Sequence, residues 1–76
     1  MKAFVYWYTL APNDRTIYLH VIAYTEKQAW FYFSRYLYEV VGHWYDYDKK
    51  PAYIIEQYNF IRHHACGDIL GENAII

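Results

Sequence analysis

The sequence predicts an α+β fold: a small antiparallel sheet in ββαβ order, one amphipathic helix packed on one face, and one further short edge strand. Three observations carry that expectation. Two stretches rich in β-branched and aromatic residues, 3–10 and 16–24, flank a turn containing Pro12, Asn13 and Asp14. A third stretch, 25–42, holds the start and stop signals of a helix around an apolar stripe. A fourth, 52–60, has strand propensity and would widen a hairpin that is marginal alone.

The opening MKAFVYWYTLA places Lys2 before an apolar run, as a signal peptide does, but Tyr6, Trp7 and Tyr8 interrupt the run and the turn follows at once. It reads as a strand. With residues 11–15 as the turn, Leu10 faces Thr16, Trp7 lies opposite Leu19, Val5 opposite Val21 and Ala3 opposite Ala23. That register gives one apolar face for the helix to cover. It sets Phe4, Tyr6, Tyr8 and Leu10 beside Ile22, His20, Tyr18 and Thr16 on an aromatic outer face.

In the helix, Thr25 and Gln28 form a Thr-x-x-Gln capping box, and Gly42 stands where a left-handed residue ends the last turn. Ala29, Trp30, Phe33, Leu37, Val40 and Val41 recur at helical spacing and form the core stripe. The opposite side carries Phe31, Arg35, Tyr38 and Glu39, a mixture that a purely solvated face does not need. The segment after Gly42 alternates rings and carboxylates through Trp44, Tyr45, Asp46, Tyr47 and Asp48. Periodicity over 52–66 is ambiguous, since Ile54, Tyr58, Ile61 and Ala65 also fit a helix. Asp68, Ile69 and Leu70 suit a short edge strand.

Length makes this one domain, 1–76, and a chain so short buries only roughly 60% of the surface it exposes unfolded. Rings compensate, for eleven Tyr, four Phe and three Trp make up 24% of the residues. Not all can be internal, because each buried hydroxyl needs a partner. The formal charge of −1 lacks the positive excess of a domain held to nucleic acid by general electrostatics, and it argues equally against a polybasic membrane binder. No run approaches the roughly 20 apolar residues of a membrane span. Cys66 is the sole cysteine, so no internal disulfide forms and a cytoplasmic setting is expected.

Two constellations invite a metal. His63, His64 and Cys66, with His43 or His20, offer zinc-type ligands but only one paired cluster, and solvated histidines beside a small thiol are the preferred reading. Asp46, Asp48 and Asp68 are loop carboxylates of the kind that water satisfies. No cofactor is implied. A small His/Asp-dependent hydrolase would need a pocket that so small a domain seldom builds beside its core, so the chain is read as non-enzymatic.

Tyr and Trp dominate protein interfaces, and a protein partner explains the composition best. The binding residues expected are Tyr6, Tyr8, Tyr18 and His20 on the outer sheet face, with Trp44, Tyr45, Asp46, Tyr47 and Asp48 as a docking loop whose carboxylates suit the arginines of a nucleic-acid-binding enzyme. The same sheet face is a possible homodimer contact. The alternative is a single-stranded nucleic-acid-binding module that stacks bases on those rings. The aromatic strand FVYWYTL, a short turn, a second strand ending AYTEKQA and one helix together resemble small phage-encoded inhibitors of the anti-CRISPR type. That resemblance implies occlusion of a host defence nuclease in the host cytoplasm, and the weak acidic balance departs from the DNA-mimicking members of that class.

Overall fold

The computed structural model describes residues 1–10, 15–42, 49–56 and 61–71. Strands β1 (Lys2–Leu10) and β2 (Arg15–Ala23) lead into helix α1 (Glu26–Tyr36), whose end continues as a π-helical turn, Leu37–Val41. Strand β3 (Tyr53–Ile55), a 3-10 turn (Ile61–His63) and strand β4 (Ile69–Gly71) complete the described elements. The sheet is antiparallel in the order β3-β1-β2-β4, with α1 on one face, which is the α+β fold expected. The ambiguous region resolves to a strand at Tyr53–Ile55, just after Pro51. A proline suits that place because β3 is an edge strand, and the Ala52 N–H reaches the Val5 carbonyl at 2.7 Å to dock it on β1. Residues 57–60, the rest of the expected strand, lie outside the described residues.

The hairpin register corrects the sequence reading by one residue. Leu10 pairs with Arg15, not Thr16, so Trp7 faces Tyr18, Tyr6 faces Leu19 and Phe4 faces Val21. A slip of one turns a strand over. The helix therefore covers Phe4, Tyr6 and Tyr8 together with Leu19, Val21 and Ala23, while Val5 and Trp7 go to the other side with Ile22, His20 and Tyr18. The cause is that β1 is apolar on both faces, so alternation alone does not choose between them. Bulk decides, because the gap between helix and sheet must be filled to close packing and the three rings of Phe4, Tyr6 and Tyr8 fill it better than Ala3, Val5 and the single ring of Trp7 do. Tyr6 stacks on Phe33 with centroids 4.6 Å apart and planes 13° from parallel, and Trp30 tilts against both, at 5.8 and 5.9 Å.

The second face is buried too. Ala3 and Ile22 form a small core there with Ile55 and Leu70, and Val5 and His20 are buried beside them.

The helix begins as expected. Thr25 Oγ1 accepts from the Gln28 N–H at 3.1 Å, and Gln28 Oε1 accepts from the Tyr24 N–H at 2.9 Å, one residue earlier than in the usual box. Thr25→Ala is expected to cost about 1 kcal/mol, measured as a lower urea midpoint at unchanged slope. Ala29, Phe33 and Leu37 carry the core stripe. Gly42 ends the π turn with φ 79° and ψ 22°, its N–H bonded to the Leu37 carbonyl. The wider turn changes the stripe, since residues in a π turn rotate less per step than in an α-helix. Val41 stays against the core, and Val40 swings out to become 65% exposed, where the sequence placed both inside.

Candidate functional site

The four residues expected to form one aromatic sheet face are divided between two. Tyr6 is fully buried and Tyr8 nearly so, both beneath α1, so neither reaches a partner; the one-residue register shift is the reason. Burial, with Tyr36 close by and hydrogen-bonded, pushes the Tyr8 phenol above its ordinary pKa. Tyr18 and His20 lie on the opposite face, Tyr18 partly exposed and His20 buried with its ring edge-on to Tyr53 at 6.5 Å. That face exposes Trp7 and Tyr53 instead. Trp44, Tyr45, Asp46, Tyr47 and Asp48 lie outside the described residues.

The largest exposed rings near one another in sequence are on the helix. Phe31 is 58% and Tyr38 59% exposed, two turns apart, with Arg35 between them and Tyr24 exposed just before the helix. Arg35 Nε donates to Glu39 Oε1 at 3.0 Å, an i,i+4 pair in solvent that contributes on the order of 0.3–0.5 kcal/mol to the helix. Helical periodicity explains the arrangement, because 31, 35 and 38 fall opposite 29, 33 and 37. The helix is thus aromatic on both sides. Only one side is needed for the core.

A groove of about 320 Å³ runs along the other flank of the helix, between Tyr32, Arg35, Tyr36, Glu39 and Val40 and the Gly67–Ile69 side of the sheet. Gly67, within the 64–68 turn, lines it. There Asp68 Oδ2 accepts from the Ala65 N–H at 2.9 Å and sits 3.4 Å from His64 Nδ1. Gly67 has φ 98°, and a Cβ placed on it would meet the Tyr32 ring at 3.3 Å, so a side chain there would strain the backbone and press on that ring. The Tyr32 hydroxyl contacts Cys66 Sγ at 3.7 Å, and that contact raises the Tyr32 phenol. His64 and Cys66 are thus drawn to different partners. Among the described residues no three His, Cys, Asp or Glu side chains converge.

A second groove, about 270 Å³, lies at the start of the helix between Glu26, Lys27, Trp30, Lys49 and Lys50. Two of its three lysines, Lys49 and Lys50, are engaged. Lys50 pairs with Glu26 at 3.0 Å, and Lys49 donates to the Trp7 carbonyl at 2.9 Å with its ammonium 3.9 Å from the Trp7 ring centre. Burial lowers the Lys49 pKa. No described helix is long and apolar enough to cross a membrane.

Compared with protein-family models, curated proteins and solved structures, the chain matches none.

Proposed function

We propose that the chain is a small non-enzymatic protein-binding module that docks through the outer face of α1, with Phe31 and Tyr38 as anchors and Arg35 between them. The carrying observation is that these two rings are more than half exposed on a helix whose core stripe is complete without them. Exposed rings weaken solubility and contribute little to the fold, whereas aromatic and arginine side chains are the residues on which interface energy concentrates. In its finer form the reading is an anti-CRISPR-like inhibitor that occludes a nuclease or its nucleic-acid-binding surface, with Asp46 and Asp48 pairing with arginines of that surface. Support for this form is the composition of 44–48 alone.

The test is affinity capture by the parent chain and by Phe31→Ser with Tyr38→Ser. The double variant is expected to melt within a few degrees of the parent, because exposed substitutions seldom move stability by more than about 0.5 kcal/mol. It should also lose at least tenfold in affinity for whatever the parent retains, the factor that about 1.4 kcal/mol of lost anchoring brings. A double variant that retains the same protein as tightly would sink the helix-face reading. Asp46→Ala with Asp48→Ala, assayed across a salt series, isolates the finer form: a flatter salt dependence is its signature.

Nucleic acid is the second reading, favoured by Trp7 and Tyr53 exposed on the sheet face away from the helix, with Lys49 beside Trp7. Against it, Lys49 already covers one side of the Trp7 ring, and the formal charge is −1. Tight, salt-sensitive binding of single-stranded DNA or RNA that Trp7→Ala abolishes would favour it over a protein partner.

A further inference from the structure

We infer that the groove between α1 and β4 is a peptide site, taking an extended segment of another protein that adds as a fifth strand on the outer edge of β4 and carries an aliphatic side chain beside an acidic one. This rests on the protein-binding reading and names the form of a partner. Strand β4 is an edge of the sheet, and among the described residues no strand pairs with its outer side. The direction of its backbone groups follows from its pairing with β2. The Ile22 N–H donates to the Asp68 carbonyl at 2.9 Å while the Ile22 carbonyl accepts from the Gly67 N–H at 2.7 Å, so residues 67 and 68 form a bulge opposite Ile22, and alternation from there makes His20 and Leu70 the next hydrogen-bonded pair. Ile69 and Gly71 therefore turn their N–H and C=O groups away from β2, to where a fifth strand would run about 4.8 Å away.

What lies over that edge suits a side chain from such a strand. Ile69 packs toward the helix-covered core, so alternate residues of an added strand face the same way, into the 320 Å³ groove under Tyr32, Tyr36 and Val40. Val40 is there because the π turn swung it out of the core. A Cβ on Gly71 would meet nothing within 4 Å, so that position has room for a side chain. Charge selects the acidic neighbour. Arg35 lines the groove and meets Glu39 through Nε, which leaves the terminal Nη pair, the planar fork that receives a carboxylate in two parallel bonds. Main-chain bonds to Ile69 and Gly71 would give register, and the groove would give specificity, as in other edge-addition sites.

The experiment uses the full chain and three blocked hexapeptide probes: Ser-Val-Glu-Leu-Thr-Val, its counterpart with lysine for glutamate, and the acidic peptide N-methylated at alternate residues. Chemical shifts of the Ile69 and Gly71 amides and the Tyr32 and Tyr36 rings are followed during titration. The acidic probe is expected to shift these signals saturably. The lysine probe should bind about tenfold more weakly, the change that one lost charge-assisted pair brings. The N-methylated probe, stripped of edge donors, should not bind. Gly71→Pro removes an outward N–H and no bond to β2, so it should keep the parent's melting temperature and lose the acidic probe. Arg35→Ala should abolish the preference for the acidic over the lysine probe. The inference is overturned if the acidic probe leaves Ile69 and Gly71 unmoved at millimolar concentration, or if the N-methylated probe binds equally well. It is also overturned if the same signals move with protein concentration alone, since a second copy would then occupy the edge. Persistence of Phe31- and Tyr38-dependent capture after any of those outcomes would leave the module reading standing and remove only the peptide site.

Discussion

Phe33→Ala is expected to lower the unfolding free energy by about 3–5 kcal/mol, which takes most of the stability of a chain this size. Phe33 is fully buried, lies flat on Tyr6 at 4.6 Å, and is flanked by Trp30 at 5.9 Å and Tyr8 at 6.5 Å. Removing it opens a cavity walled by three rigid rings, which cannot collapse into the gap as flexible aliphatic side chains would, so the cost falls toward the upper end for such substitutions. A domain of 76 residues has roughly 4–11 kcal/mol in total. Urea unfolding followed by far-UV circular dichroism should show the variant largely unfolded at the parent's midpoint. Phe31→Ala, two residues away on the solvent side, should shift that midpoint little. Equal stability of the Phe33 variant and the parent would mean that the helix packs by another face.

The helix was legible because its signals are local. Thr25, Gln28 and Gly42 act through bonds to neighbours within one turn, and those bonds are present. Strand β4 was legible for a similar reason, since glycines bracket its apolar residues. Two other features depend on distant parts of the chain and were not legible. The register hangs on whether Arg15 belongs to the turn or to β2, and nothing in Leu10 to Thr16 decides it when both faces of β1 are apolar. The π turn is equally silent, because Val40 and Val41 in succession satisfy either a wide or a normal turn, and only the closing bond from Gly42 to Leu37 fixes which of them is inside. The edge groove inherits both, for it needs Val40 outside and β4 beside β2. The one sign of the outer helix face in the sequence was Phe31 and Tyr38 opposite the core stripe, a signal outweighed by a sheet face that the true register dismantles.

A pair of lysine substitutions separates the two registers by several kcal/mol. Tyr6→Lys puts an ammonium where the native ring is fully buried between Phe33 and Trp30. Among the described residues the surrounding core includes Phe4, Tyr8, Leu19, Val21, Phe33 and Leu37, all apolar or aromatic. Taking an ammonium into such a core costs several kcal/mol even after the group sheds its proton, on the order of the whole stability of the domain. Trp7→Lys should be far milder. Trp7 is 39% exposed on the opposite face, and its carbonyl bond to Lys49 belongs to the backbone and survives. What is lost is the contact of the Lys49 ammonium with the ring at 3.9 Å, worth about 0.5–1 kcal/mol, with some repulsion added between two lysines in solvent. With Trp7 opposite Leu19 under the helix and Tyr6 on the outer face, the order of damage reverses. Thermal melts of the two variants, run side by side at neutral pH, therefore decide the register: a folded Tyr6→Lys protein beside an unfolded Trp7→Lys protein would put the helix on the other face of β1 and return Tyr6 and Tyr8 to the surface.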